Sequence, residues 1–197
     1  MTRLRTLASR FAREESAATA TEFGLVCFAF IVMLLAVIDM GRLGWTINTA
    51  KTATREGARL AVVSPIVSTY MATYDGTATY GGGGVVPDMA FSCTGSNTTC
   101  TQTQGSGGSP GFDNTTFNAV LNKMQAYQPD ITAADVTITY RHVGIGKVGN
   151  PYAPDMEPLV SVSVANLTFT SVALQIFGVA PFNLPTMTST LSGESLS

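Results

Sequence analysis

The sequence predicts an α+β protein in which a long N-terminal transmembrane helix continues into a small outer domain with an antiparallel sheet and one short helix. Three observations support this fold class. Residues 23–38 carry no charge, a helical spacing of apolar and small residues continues to Val63, and two runs of alternating side chains follow after residue 135. The expected divisions are a basic cytoplasmic leader over 1–17, a continuous helix over 18–63, a Gly/Thr/Ser-rich loop region over 64–112 and an α+β outer domain over 113–197.

The apolar run is long enough to cross a bilayer once the residues in front of it are included. Residues 17–21 are uncharged and extend the run, with Glu22 as the one interruption. About 18–40 then supplies the roughly 20 residues that a transmembrane helix needs. A cleaved secretory signal has a shorter apolar stretch of about 7–15 residues, so we expect a membrane anchor.

Basic residues in the leader set the expected orientation of this anchor. Arg3, Arg5, Arg10 and Arg13 precede the apolar run, and cytoplasmic flanks of transmembrane helices carry an excess of Lys and Arg. The N-terminus should therefore lie in the cytoplasm. Everything beyond about Arg42 should lie outside.

Two acidic residues stand at the ends of the apolar run. Glu22 would lie near the inner boundary of the bilayer, where a carboxylate needs a cationic partner or a proton unless it reaches the headgroups. Asp39 would lie near the outer boundary, and the expectation for it is simple contact with the headgroup region. The residue pattern alone does not identify a partner for Glu22.

The composition is typical of an exported protein. Only 12% of the residues are charged, compared with roughly 25% in soluble domains, and the net charge of −2 gives no support to nucleic-acid binding. We expect no cofactor, because the glycine clusters lack the lysine and hydroxyl residue of a phosphate-binding loop. We expect no enzyme, because His142 is the one histidine and nucleophilic triads need a histidine base.

The cysteines fall into two environments. Cys27 lies in the apolar run, where a lone thiol behaves as a small hydrophobe. Cys93 and Cys100 lie in the part expected outside, where an oxidising compartment allows pairing, and they lack the closer spacing and further ligands of a zinc site. A disulfide that staples a mobile loop is the favoured interpretation, and two free thiols are the alternative.

The helical pattern continues past the membrane. Gly57, Ala58 and Ala61 belong to a narrow face of small residues that would allow close approach of a sheet, and Lys51, Arg55 and Arg59 form a row at i, i+4, i+8. Such a row is most often solvated, with lipid headgroups or an acidic neighbour as the alternative contact. The helix should end before Pro65, since the residue before proline is pushed out of the helical region.

The outer domain has a simple expected pattern. Asp113 or Asn114 is a candidate cap for a short amphipathic helix that ends near Tyr127. Alternating side chains then predict two strands, and a third is a weaker candidate; these runs are 136–140, 160–164 and 186–191.

Three segments of the N-terminal third form a recognisable combination with the apolar span. They are Ala18-Thr19-Ala20-Thr21-Glu22-Phe23, Asp39-Met40-Gly41-Arg42 and Ala53-Thr54-Arg55-Glu56-Gly57-Ala58-Arg59. The last is similar to the AAREGAR signature of the TadE/TadF family of minor pseudopilins, which belong to the tight-adherence (Flp) pilus machinery. The chain resembles this family over about residues 13–63, and the outer domain is pilin-like only in general shape.

The resemblance implies processing by a prepilin peptidase on the cytoplasmic side. The cut would fall between Ala17 and Ala18, which places Glu22 at the fifth position of the mature chain. The family has glycine where this chain has Ala17, so an uncleaved subunit retained in the membrane is the alternative. A new N-terminal amine, from a neighbouring subunit or from the same chain, would be the partner of Glu22.

The resemblance also implies partners and a location. The partners would be the lipid bilayer, other pilin or pseudopilin subunits and the pilus assembly platform of the bacterial inner membrane. The expected membrane or subunit contacts are Glu22, Phe23, Arg55, Glu56, Gly57 and Arg59. The predicted function is a minor pseudopilin that helps to assemble or initiate a tight-adherence pilus. The alternative is a signal-anchored adhesin or binding module that uses the Gly/Thr-rich region.

Overall fold

The computed structural model describes residues 15–77, 82–105, 108, 110–142 and 158–192, with side chains from residue 18 onward. The expected leader, apart from residues 15–17 at the start of the long helix, lies outside the described residues. The helices are α1 (Glu15–Val63), α2 (Thr69–Ala72), α3 (Asn114–Gln125) and α4 (Val172–Ile176), and a 3₁₀ turn spans Ala133–Asp135. The strands are β1 (Ala90–Thr94), β2 (Thr99–Gln104), β3 (Val136–His142), β4 (Pro158–Val164), β5 (Thr168–Phe169), β6 (Phe182–Asn183) and β7 (Met187–Ser192).

The chain divides into two compact units. The stem unit contains the residues up to Gly44 together with Thr170–Pro181. The sheet unit contains Trp45–Phe169 and the residues from Phe182 onward. The predicted α+β class, with a long apolar helix followed by an antiparallel sheet and a short helix, is confirmed.

The helix α1 is continuous, as the sequence predicts. It contains no proline, and threonine hydroxyls in its second half donate to backbone carbonyls one turn earlier, as Thr52 does to Asn48 at 2.9 Å and Thr54 to Ala50 at 2.7 Å. These bonds satisfy the threonine hydroxyls within the helix, where such hydroxyls otherwise compete for the hydrogen-bonding groups of the backbone. The helix ends at Val63, in front of Ser64 and Pro65.

The main sheet has five antiparallel strands in the order β2-β1-β3-β4-β7. The register pairs Ile138 of β3 with Cys93 of β1 on one side and with Val162 of β4 on the other. All three side chains are buried. Since side chains alternate between the two faces of a strand, one face of the sheet forms the core and the other carries partly exposed serine and threonine.

The predicted strands in the second half of the domain are confirmed, including the weaker candidate, which is β7. The predicted short helix is α3, and Asp113 is its N-cap. The Asp113 carboxylate accepts from the backbone N–H of Thr115 at 2.9 Å and from the hydroxyl of Thr116 at 2.5 Å. These hydrogen bonds hold the pKa of Asp113 below its ordinary value because they favour the charged form. The bond from the Thr116 hydroxyl has the largest effect.

The segment 64–112 differs from the expected loop region. It contains α2 and two strands, and β1 and β2 form a hairpin that makes one side of the main sheet. Cys93 and Cys100 are direct cross-strand partners joined by a disulfide, with 3.9 Å between their Cα atoms. The disulfide is therefore present, but it joins two paired strands and does not staple a mobile loop.

The turn of this hairpin lies against the core. A Cβ built on Gly95 would clash with the carbonyl oxygen of Ala133 and with the ring of Phe117. Glycine is thus needed here for close approach of the backbone.

Tyr140 ties the connection after α1 to the sheet. Its side chain is fully buried on β3, and its hydroxyl oxygen accepts from the backbone N–H of Val67 at 3.2 Å. Burial raises the pKa of Tyr140 to about 12, since the phenolate would lose its hydration. The neutral phenol therefore serves as a structural hydrogen-bonding group.

Candidate functional site: the exposed stem and its Asp39 junction

The first half of α1 presents apolar side chains that the described residues of the stem unit leave largely uncovered. Phe23 is 72% exposed, Phe30 59% and Val37 63%. By length and composition this is a helix that could cross a membrane. Buried core helices and signal sequences can meet the same criteria, but the exposure of this helix is unlike that of a core helix. So much exposed apolar surface indicates a covering by lipid or by other helices.

Glu22 lies at the start of this exposed surface. Its side chain is exposed, and the residue directly precedes Phe23 on the helix. Among the described side chains, none forms an ion pair with Glu22. The stem therefore offers a carboxylate next to its apolar surface.

Asp39 lies in a different environment from the one expected. Its side chain is buried, and one carboxylate oxygen accepts from the hydroxyl of Ser171 and from the backbone N–H of Ala173, both at 2.7 Å. The other oxygen forms an ion pair with Arg42 at 3.1 Å. Simple contact with headgroups is thus the wrong interpretation of Asp39.

The physical reason is that a buried carboxylate must find donors within the protein. The donors come from the start of α4, where Ser171 is also the N-cap and accepts from the N–H of Leu174 at 3.1 Å. Asp39 therefore attaches the segment Thr170–Pro181 to the stem. Sequence reasoning missed this junction, and the only available signal was an Asp-x-x-Arg pair at the end of an apolar run.

The signature-like segment divides between packing and exposure. Ala53, Thr54, Gly57 and Ala58 are buried in the sheet unit. A Cβ on Gly57 would lie 2.7 Å from Cγ and Sδ of Met124, so the close neighbour at this point is helix α3. Gly57 was expected among the membrane or subunit contacts, but it is buried and faces Met124, so it does not belong to an exposed contact surface.

The charged members of the same segment lie at the surface. Arg55 and Arg59 are exposed, and Glu56 is half-buried. Arg59 and Glu56 form an ion pair at 3.0 Å. These three side chains are available to a partner, whereas the small residues between them are not.

Fold and site together define a class of protein: an exposed apolar stem helix that runs on into an α+β unit. Such a helix suggests single-pass membrane anchoring.

Comparison with known families agrees with this class. Residues 17–59 match the family model described as TadE-like protein, which confirms the resemblance over the stem and the signature-like segment. This family is associated with the Tad pilus, and its members are structural rather than catalytic. No curated protein and no solved structure matches the chain.

Proposed function

We propose that this protein is a membrane-anchored minor pseudopilin that contributes to the assembly or initiation of a tight-adherence pilus. The observation that carries the proposal is the exposed apolar surface of α1, which begins at Phe23, directly after Glu22, and lies within the stretch that matches the TadE-like family. A helix of this kind needs a covering, and a bilayer or a bundle of similar helices supplies one.

The proposed anchor is a single pass through the bacterial inner membrane. The arginine-rich leader supports a cytoplasmic N-terminus, and the sheet unit would lie in the periplasm or outside the cell. The disulfide between Cys93 and Cys100 agrees with an oxidising compartment. A prepilin peptidase would cut between Ala17 and Ala18, and the partners would be other pilin subunits and the assembly platform.

Glu22 is the residue on which the proposal depends most. An acidic side chain at the edge of the hydrocarbon is costly unless a cation meets it. A neighbouring subunit can supply that cation as an N-terminal amine, which would align the two stems at a defined depth. The exposed charged residues Arg55, Glu56 and Arg59 would form a second contact region further along α1.

The test is Glu22→Gln in cells that make tight-adherence pili. The variant keeps the size of the side chain and removes its charge, so we expect surface pili to be lost while the protein level in the membrane stays normal. The matched control is Asp88→Asn, which neutralises an exposed carboxylate of the sheet unit and should leave pili unchanged. Normal pilus numbers with Glu22→Gln would contradict the proposal.

Intact-mass measurement of membrane-extracted protein tests the processing step. A chain that begins at Ala18 supports cleavage by the peptidase. A full-length chain would contradict cleavage and leave an uncleaved, membrane-retained subunit.

A further inference from the structure

We propose that residues 172–179 form a second membrane contact, lying in the outer interface of the bilayer beside the stem. The proposal rests on the membrane anchoring of the stem put forward above, and it adds a lipid contact from a distant part of the sequence. We call this stretch the interfacial segment.

The interfacial segment exposes an unusual amount of apolar surface. Phe177 is 62% exposed and Ile176 is 50% exposed, while Val172, Leu174 and Val179 each exceed 40%. No Asp, Glu, Lys or Arg occurs between Glu157 and Glu194. Contiguous apolar patches of this kind are rare on surfaces that face water.

The attachment at Asp39 determines the depth of the segment. The Asp39 carboxylate accepts from the Ser171 hydroxyl and from the Ala173 N–H, both at 2.7 Å, at the beginning of α4. Asp39 follows Glu22 by about 25 Å along the helix at 1.5 Å per residue. The hydrocarbon core is about 30 Å thick, so a Glu22 near the inner boundary places Asp39, and with it the segment, near the outer one.

Lipid is the occupant that these observations favour. The segment is attached to the stem at Asp39, and Val37 and Ile38, directly before Asp39 on the helix, belong to the exposed apolar surface of the stem. An apolar segment in the interface buries its side chains about 5–10 Å deep at the boundary of headgroups and acyl chains. A segment without charged side chains also enters the bilayer interface without the cost of burying a charge in lipid.

The experiment places single tryptophans in the full-length protein, reconstituted at one copy per nanodisc. Trp45 is the one natural tryptophan, so Trp45→Phe gives a silent background. Phe177→Trp then reports on the interfacial segment and Phe30→Trp on the middle of the stem. The lipids carry bromine either near the glycerol end or near the methyl end of the acyl chains.

We expect the Phe177→Trp probe to be quenched more strongly by the shallow bromines and the Phe30→Trp probe by the deep ones. If the stem probe is quenched and the segment probe is not, this inference fails and the anchoring stands. If neither is quenched, the anchoring itself fails. If the shallow-bromine quenching of the segment probe disappears when two copies share a nanodisc, a second copy displaces lipid and is the preferred occupant of the segment, which also overturns the inference.

A second variant tests the role of the junction. Asp39→Asn keeps the shape but weakens acceptance from both donors and removes the ion pair with Arg42, so the quenching of the Phe177→Trp probe by shallow bromines should fall. Asp88→Asn is the matched control and should leave that quenching unchanged. Equal quenching in both variants would show that Asp39 does not position the segment and would overturn this part of the inference.

Discussion

Gly57 allows a sharp test of whether the signature-like part of α1 serves packing inside the sheet unit. A Cβ at this position would lie 2.7 Å from Cγ and Sδ of Met124, about 1 Å inside the roughly 3.5–4.0 Å at which carbon atoms attract each other best. Met124 is fully buried, so its side chain has no solvent to move into. The change Gly57→Ala therefore requires the Met124 side chain to shift against its packed neighbours.

The expected loss of stability follows from two opposing terms. Overpacking a core costs about 1–3 kcal/mol, and alanine in place of glycine in a helix interior regains about 1 kcal/mol. Gly57→Ala should thus lower the free energy of unfolding by about 0–2 kcal/mol. In a Met124→Ala background the obstacle is gone, so the same change should raise the free energy of unfolding by about 1 kcal/mol.

The assay is urea unfolding of the full-length chain in detergent micelles. The near-ultraviolet circular dichroism, to which the buried Tyr140 contributes, is the signal that monitors unfolding. Met124→Ala alone should lower the free energy of unfolding by about 2–5 kcal/mol. The effect of Gly57→Ala in that background is measured relative to the Met124→Ala variant. Gly44→Ala is the matched control, because a Cβ at Gly44 meets no atom of the described residues within 4 Å, and it should not destabilise. Equal stabilisation by Gly57→Ala in both backgrounds would refute the packing role.

Two further predictions concern the sheet unit. Replacing Cys93 and Cys100 by serine should lower the free energy of unfolding by about 2 kcal/mol, because the disulfide no longer restricts the unfolded chain; unfolding with and without reductant measures this. Asp113→Ala should cost about 1 kcal/mol at neutral pH, because α3 loses its N-cap acceptor. Hydrogen bonds, chiefly from the Thr116 hydroxyl, lower the pKa of Asp113 from 3.8. Its contribution to stability is therefore present above that ordinary pKa and is lost as pH falls through the lowered one, so wild type and variant should converge in acid.

Each of these predictions has a control within the chain. Cys27→Ser removes the thiol outside the disulfide and should leave the effect of reductant intact, whereas two freely alkylated thiols in the non-reduced protein would disprove the disulfide. For the cap, Asp88→Ala removes an exposed carboxylate that does not begin a helix and should leave the acid unfolding curve unchanged. A difference between wild type and Asp113→Ala that persists unchanged into acid would show that the Asp113 charge is not what stabilises α3.

Elements with a regular local pattern could be predicted from the sequence. The helix α1 follows from helical spacing without a proline up to Pro65, and β3 and most of β4 follow from alternation of apolar and polar residues. The hairpin of β1 and β2 could not be predicted in this way. Its residues are mostly Ser, Thr and Gln around the two cysteines, and the hairpin joins the sheet through the pairing of β1 with β3, which is distant in sequence.

The sequence by itself determined that the stem is a long apolar helix, because the length of the run and its lack of charge are local properties of the chain. It also placed Glu22 at the beginning of the stem. Only the tertiary structure decided what Asp39 does, since its hydrogen-bonding partner Ser171 lies 132 positions away along the chain. The same holds for Gly57, whose inward direction depends on where Met124 is brought by α3. Local periodicity predicts which residues share a face of a helix, but what covers that face depends on chain segments that meet only in the folded protein.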